Sequence, residues 1–347
     1  MSEGQRNNAA NDGKMAIRWE VFLPAYLVVG GSAVLGLLNK DALTKGANAF
    51  FFWSLDTFGW LYQIVIMACV ILTTIVTFSR LGNVRLGGKD AKPKYGFWTW
   101  FAMTLTGGVA TGIVTWGVNE PLIYYGNVWG ELNQLGISPN TPKAAIFAMA
   151  RSFYNWTFVP YAIYGLCGLL VAYIYCNKRD RLNVTATLKP LFGERVTRGV
   201  FAATIDTLSM LALAIGLTTG LTMCMTLTMA GLKSGYGVQG SLELFIAIGV
   251  GIMCVFTFSS YIGMDRGLRV LGNLNAWFYY GLLALLLFTG PIVFILRTAT
   301  AGLAEWLHNF FLWGFDPIDI GGEALTRSWT LFDFAFWVGY APSRASS

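Results

Sequence analysis

The sequence predicts an all-α membrane protein, and its composition, hydropathy and long apolar runs lead to this class. Of its 347 residues, 55% are hydrophobic and only 12% are charged, whereas soluble domains average about 25% charged residues. The mean hydropathy is +0.55. Apolar runs of the ~20 residues that a helix needs to cross a bilayer recur along the chain. We therefore exclude soluble enzymes and nucleic-acid-binding folds.

Seven apolar runs are long enough to cross the membrane. They cover approximately residues 21–39, 57–79, 95–125, 152–176, 199–232, 244–264 and 270–296. An eighth run begins at Trp329 but meets Ser343 and Arg344 before it is long enough to cross. The sequence thus predicts seven complete spans and one helix that is cut short.

The basic residues are concentrated in alternate loops, and this bias predicts the orientation of the chain. Lys and Arg near the ends of spans resist translocation and stay in the cytoplasm. The basic segments precede the first span and join the second span to the third, the fourth to the fifth and the sixth to the seventh. The predicted topology is therefore multi-pass, with a cytoplasmic N-terminus.

Residues 298–314 have the pattern of a helix that lies along the membrane interface. Leu303, Trp306 and Phe310 fall on one side, while Glu305 and His308 fall elsewhere, as in an amphipathic interfacial helix. His308 is the only histidine, and the five cysteines form no CxxC pair. The sequence therefore predicts no metal site and no bound cofactor.

The third span contains a stretch of small residues at Gly107, Gly108, Ala110 and Gly112. Small residues let neighbouring helices approach closely. They also permit local unwinding, which frees carbonyl oxygens to coordinate a cation and exposes backbone to a ligand. Both interpretations remain open. We expect Glu120, at the end of this span, to be a buried ion-pair partner rather than a proton carrier.

Aromatic residues cluster in the fourth and eighth apolar segments. The fourth holds Trp156, Tyr161 and Tyr164, and the eighth holds Phe336, Trp337 and Tyr340. Faces of Trp and Tyr rings attract quaternary ammonium groups with ~0.5–2 kcal/mol per contact. The alternative is an ordinary interfacial belt, because 15% of the chain is aromatic.

Two segments share a pattern that suggests an internal repeat. Trp98-Thr99-x-Phe101 opens the third span and Trp329-Thr330-x-Phe332 opens the eighth, and in each a glycine follows the Phe by seven residues. Under the predicted topology the two segments start on opposite sides of the membrane. Matched helices of opposite orientation are typical of transporters built from inverted repeats.

Four motifs in order resemble the betaine/choline/carnitine transporter family. They are Asn119-Glu120-Pro121, residues 152–164 (SFYNWTFVPYAIY), residues 188–194 (LKPLFGE) and residues 328–342 (SWTLFDFAFWVGYAP). The resemblance implies a LeuT-like inverted-repeat fold of twelve helices, two followed by two five-helix repeats, usually trimeric. It also places an ammonium cage on Trp156, Tyr161, Tyr164, Trp337 and Tyr340, with Phe336 beside it.

The resemblance divides the chain into five parts. They are a cytoplasmic tail (1–16), two N-terminal helices (17–94), a first repeat (95–297), an interfacial helix with its connector (298–327) and the start of a second repeat (328–347). Alternating access requires one repeat to move against the other, and only the first is complete. We therefore expect this chain not to transport by itself; a homotrimer is expected of the complete protein.

The predicted function is secondary transport of a quaternary ammonium solute of the glycine betaine, choline or carnitine class across a bacterial inner membrane, without enzyme activity. The alternative is a membrane half-transporter that binds or senses the cation without flux. The eighth segment departs from the family pattern at Asp333, Phe334 and Phe336, which leaves the choice of solute open. Asp333 could line the site or face a neighbouring helix.

The coupling ion is also open. Sodium-dependent members of the family use carbonyls from the region of Gly107 to Gly112. Arg269 resembles an arginine that stands in for the ion in sodium-independent carnitine exchangers, but it could equally be a positive-inside anchor. Asp206 lies within an apolar run and needs a partner, for which Arg151 is the candidate.

Overall fold

The computed structural model describes residues 18–108, 111–180, 183–263, 267 and 269–345, and helices are the only regular elements among them. The α-helices are α1 (Trp19–Leu38), α2 (Lys40–Phe78), α3 (Phe97–Gly108), α4 (Thr111–Gly126), α5 (Pro142–Trp156), α6 (Phe158–Lys178), α7 (Val184–Phe192), α8 (Gly199–Tyr236), α9 (Leu242–Ile262), α10 (Arg269–Thr289), α11 (Ile292–Gly314) and α12 (Phe332–Ala345). A π-helix, Glu323–Leu331, leads directly into α12.

Six helical stretches of the described chain are long and apolar enough to cross a membrane. They are α1, α2, α5 and α6 taken together, α8, α9 and α10. A third of the most apolar window of α5–α6 is buried, against 11% in α9 and α10. The predicted all-α membrane class is confirmed, and α5–α6 forms the centre of the bundle.

The third predicted span is divided between two helices. α3 ends at Gly108 and α4 begins at Thr111, so neither is long enough to cross alone. Ala110, one of the four small residues noted in this span, lies outside the described residues. Gly107 and Gly108 form the end of α3, and Gly112 lies in the first turn of α4.

The fourth span begins earlier than the hydropathy predicts and is interrupted. Helix starts at Pro142 rather than near Ser152, and Thr157 separates α5 from α6 with φ −108° and ψ −106°. Pro160 explains the interruption, because its ring would clash with the carbonyl of Trp156 in a continuous helix. In the first turn of α6 the same proline costs no hydrogen bond. Trp156 is thereby placed at a helix end.

The seventh span is shorter than predicted, and the amphipathic helix after it is longer. α10 ends at Thr289 instead of near Leu296, and α11 begins at Ile292 instead of residue 298. Pro291 sets this boundary because it has no N–H to continue the helix. α11 packs closely on α5, since a Cβ added at Gly302 would lie 2.8 Å from Met149 Cγ.

The proposed pairing of Asp206 with Arg151 is wrong. Asp206 accepts hydrogen bonds from Arg18 at 2.7 Å, Thr185 at 3.0 Å and Asn183 at 3.1 Å, which tie α8 to the start of α1 and to α7. Arg151 lies elsewhere, in the core beside α11 and the π-helix. The error arose because hydropathy locates a buried charge but not the helix that lies next to it.

Candidate functional site

A cavity of about 440 Å³ lies at the centre of the bundle. Its walls come from α4, the junction of α5 and α6, the middle of α8, and the π-helix with α12. The interruption at Thr157 places the end of one helix and the first turn of another in this wall. Both aromatic groups predicted from the sequence therefore contribute to the same space.

The rings of the fourth and eighth segments meet across this cavity. The Trp156 and Trp337 ring centroids are 5.2 Å apart with planes at 79°, and those of Tyr164 and Trp337 are 6.1 Å apart at 88°. Tyr161 packs edge-on against Tyr164 at 6.2 Å, and Phe336 packs against Trp337 at 5.1 Å. All five residues line the cavity. Near-perpendicular packing turns ring faces in different directions around a small volume.

Three other predicted positions contribute less to the described site. The side chain of Tyr340 lies outside the described part of the chain, although its backbone belongs to α12. Gly112 lines the cavity, and a Cβ added there would rest 3.8 Å from the Trp156 ring. Arg269 is exposed at the first residue of α10 and is not among the described residues that line the cavity. This position favours the anchor interpretation of Arg269.

Glu120 fixes the orientation of Trp156. Its Oε2 accepts a hydrogen bond from the indole Nε1 of Trp156 at 2.5 Å, and its Oε1 accepts one from Asn155 Nδ2 at 2.5 Å. The carboxylate is only 1% exposed. Burial agrees with the expectation for Glu120, but these hydrogen-bond donors are neutral, whereas we expected an ion pair. Because each oxygen of the buried carboxyl group accepts a hydrogen bond, the Trp156 ring is held in one orientation.

Arg151 connects the site to the rest of the core. Its side chain is 1% exposed, donates a hydrogen bond to Thr330 Oγ1 at 2.8 Å, and lies over the rings of Trp313 at 4.9 Å and Tyr154 at 5.3 Å. These contacts join α5 to the π-helix and to α11. Arg151 thus supports the helices that carry Trp156 and Trp337.

A second aromatic group in the cavity wall was not predicted from the sequence. Trp329 stacks on Trp129 at 5.2 Å and meets Trp116 edge-on at 5.9 Å, and all three line the cavity. The Trp329 indole donates to buried Glu131 at 3.3 Å. A signal was present, because Trp329, Asp333 and Trp337 follow each other at intervals of four residues, which is the spacing of one helix face.

Asp333 is one of the residues that line the cavity, but the Oδ2 atom of its carboxyl group is sealed within the protein. It is 7% exposed and lies on α12, one turn before Trp337. Its Oδ2 atom has no hydrogen-bond partner among the residues that the structure describes. The site therefore combines several aromatic faces with two buried carboxylates, those of Glu120 and Asp333.

Comparison with known proteins gives a family match over almost the whole chain. A family model described as "BCCT, betaine/carnitine/choline family transporter" matches residues 20–346. The chain is 27% identical to an ectoine/hydroxyectoine transporter of Virgibacillus pantothenticus, covering 95% of the chain and 64% of that protein. It is 26% identical to a glycine betaine transporter of Bacillus subtilis, covering 93% and 62% of the two sequences.

A third relative, glycine betaine transporter 1 of Vibrio parahaemolyticus, is 31% identical over 93% of the chain and 62% of its own length. In each case the chain spans less than two thirds of the relative it matches. The part of this chain that the family model matches, residues 20–346, nevertheless includes every described residue of the cavity wall.

Proposed function

Because the chain belongs to the betaine/carnitine/choline transporter family, we propose that it binds a quaternary ammonium solute in the aromatic cavity and serves its transport by alternating access. The proposal depends on one observation: the ring centroids of Trp156 and Trp337 lie 5.2 Å apart. These residues come from helices far apart in sequence, and their rings share one wall with Tyr161 and Tyr164.

The chemistry of the wall suits a cation that has lost its water. A trimethylammonium group cannot donate N–H hydrogen bonds, so it gains little from a polar pocket. Ring faces offer it ~0.5–2 kcal/mol per contact, with the larger values in desolvated sites. A cavity of about 440 Å³ is of the size that encloses a small ligand.

Glu120 and Asn155 act as positioning residues in this proposal. The carboxylate holds the indole edge of Trp156 through Nε1, so the ring face remains available to the cation. Glu120 also lines the cavity, and an ionised carboxylate at this place would stabilise a positive solute more than it would in water. No proton transfer through Glu120 is needed.

We propose sodium as the coupling ion, held near Gly107, Gly108, Ala110 and Gly112. The support is the end of α3 at Gly108, because the last carbonyls of a helix lack intrahelical partners and carry partial negative charge. These oxygens suit a hard cation. The same solute titration in sodium and in potassium buffer tests this, and equal affinities would count against it.

The finer cellular assignments are proposals as well. We place the protein in a bacterial inner membrane with a cytoplasmic N-terminus, on the distribution of Lys and Arg among the loops. We also propose a homotrimer, on the family resemblance. Cysteine accessibility in intact cells tests the orientation, and light scattering coupled to size-exclusion chromatography tests the assembly.

Binding is tested by calorimetric titration of the purified protein in lipid nanodiscs with choline and with dimethylbutanol, its uncharged carbon isostere. The two have the same shape, so only the charge differs. We expect saturable choline binding and much weaker binding of the isostere. Equal affinity would refute a cation cage. Accumulation of labelled choline or glycine betaine in proteoliposomes then tests transport, and robust accumulation by this chain would overturn the expectation that it does not transport by itself.

A further inference from the structure

One buried carboxyl group near the cavity, that of Glu131, is not explained by the ammonium cage. Glu131 lies in the loop that joins α4 to α5 and is 0% exposed. Its Oε2 accepts a hydrogen bond from the backbone N–H of Trp129 at 3.0 Å, and its Oε1 accepts one from the indole Nε1 of Trp329 at 3.3 Å. A single side chain thus connects this loop to the π-helix.

The same loop approaches the π-helix closely at two further points. Gly130 has a φ of +91°, and a Cβ added there would lie 3.8 Å from the Cβ of Ala324. A Cβ added at Gly322, the residue before the π-helix, would collide with the side chain of Gln134. Because glycine has no side chain, it permits both the positive φ and the close approach. The loop and the π-helix therefore form a tight contact that includes Glu131.

The two rings that Glu131 connects stand between the cavity and the molecular surface. The ring centroids of Trp129 and Trp329 are 5.2 Å apart with planes at 21°, and both residues line the cavity. Trp329 is 5% exposed, whereas Trp129 is 56% exposed. On its inner side Trp329 contacts Tyr124 at 4.9 Å and Trp116 at 5.9 Å. The stacked pair of Trp129 and Trp329 therefore covers the cavity on this side.

The role of Glu131 differs from that of Glu120, although each accepts a hydrogen bond from a cavity indole. Glu120 binds two neighbouring residues of one helix, Asn155 and Trp156, and so fixes a ring within the wall. Glu131 instead joins a loop to a separate helix through two hydrogen bonds. Loops held in this way open and close over binding sites on the microsecond to millisecond timescale.

We propose that Glu131 is a positioning residue that keeps the stack of Trp129 and Trp329 closed over the cavity, and that it thereby sets the rate at which a solute enters and leaves. This rests on the proposed ammonium cage and adds the side by which the solute passes. A closure that is equally stable in the free and the occupied protein slows association and dissociation by the same factor. It leaves Kd unchanged, because a contact that favours neither state shifts no binding equilibrium.

The test is stopped-flow tryptophan fluorescence during the binding of tetramethylammonium to the chain in lipid nanodiscs, with Kd measured by calorimetry. In Glu131→Gln an amide NH₂ faces one of the two N–H donors, so one hydrogen bond is lost. We expect both rate constants to rise roughly threefold to tenfold, the value of one hydrogen bond, while Kd stays within about twofold of the wild-type value. Glu323→Gln is the matched control, because Glu323 is exposed on the π-helix. It removes the same charge and should keep both wild-type rate constants.

Trp129→Ala decides if Glu131→Gln does not fold, because it removes a largely exposed ring; it should raise both rate constants in the same way. Unchanged rate constants in the folded variant overturn the proposal. A larger Kd with an unchanged association rate constant also overturns it, because the ring would then bind the cation rather than close the cavity. Failure of tetramethylammonium to bind the wild-type protein would refute the ammonium cage and this proposal together, whereas binding with unchanged rates refutes only the role of Glu131.

Discussion

Replacement of Trp337 by leucine should weaken ammonium binding strongly without unfolding the protein. Leucine fills part of the volume of the indole but has no π-face. Trp337 is 4% exposed and is the ring that Trp156, Tyr164 and Phe336 all contact. Because it is buried, its contact with a cation belongs to the upper part of the ~0.5–2 kcal/mol range. A loss of about 1–2 kcal/mol corresponds to a roughly fivefold to thirtyfold increase in Kd.

The assay is calorimetric titration with tetramethylammonium, accompanied by thermal unfolding of each variant. Trp306→Leu is the control, since Trp306 packs against Phe310 on α11 and does not line the described cavity. Its Kd should equal that of the wild type. A folded Trp337→Leu variant whose Kd stays within about twofold of the wild-type value, a difference of less than about half a kcal/mol, would refute the role of Trp337 in binding the cation.

Five further substitutions test the packing of the site and of the helices around it, and two of them, Asp56→Ala and Gly281→Ala, serve for comparison. Glu120→Gln should destabilise the protein by about 1–3 kcal/mol and weaken tetramethylammonium binding, because an amide NH₂ would face one of two N–H donors; an unchanged melting temperature would contradict this. Asp206→Ala should lower the free energy of unfolding by about 1.5–3 kcal/mol. Asp56→Ala should lower it by less than about 1 kcal/mol, because the ion pair of Asp56 with Arg327 is exposed. Chemical denaturation measures both values, and equal losses would contradict this prediction. Gly302→Ala should lower the free energy of unfolding by about 1–3 kcal/mol, because the added methyl group overpacks the contact between α11 and α5. Gly281→Ala should not, because no atom lies within 4 Å of a Cβ added there. Equal melting temperatures for the two variants would show that the close contact between α11 and α5 is absent.

The sequence alone was sufficient to predict the membrane class and to select five of the aromatic residues that line the cavity. The length of an apolar run follows directly from the thickness of the bilayer, so six of the seven predicted spans correspond to helical stretches that are long and apolar enough to cross. The sequence motifs identified these residues, which are Trp156, Tyr161, Tyr164, Phe336 and Trp337. Their common position in one wall needed the structure, because contacts between distant segments leave no local pattern.

Helix boundaries and polar partners were predicted less well, for physical reasons that the structure makes clear. Arg151 interrupts the apolar pattern just before Ser152, so the predicted span begins after it, yet residues 142–151 form most of α5. Pro160 and Pro291 interrupt apolar runs that hydropathy treats as continuous. The partner of Asp206 is Arg18, at the start of a different helix, and no count of charges along the chain identifies such a neighbour.

The central claim is that Trp156 and Trp337 together bind the ammonium group, and locating a bound cation tests it most directly. Tetramethylarsonium has the shape and charge of tetramethylammonium, and its arsenic atom can be located in crystals by anomalous scattering. We predict one strong peak within about 6 Å of both ring centroids, the distance of a cation–π contact. A peak that lies away from both rings, with the cavity between them filled by water, would contradict the claim.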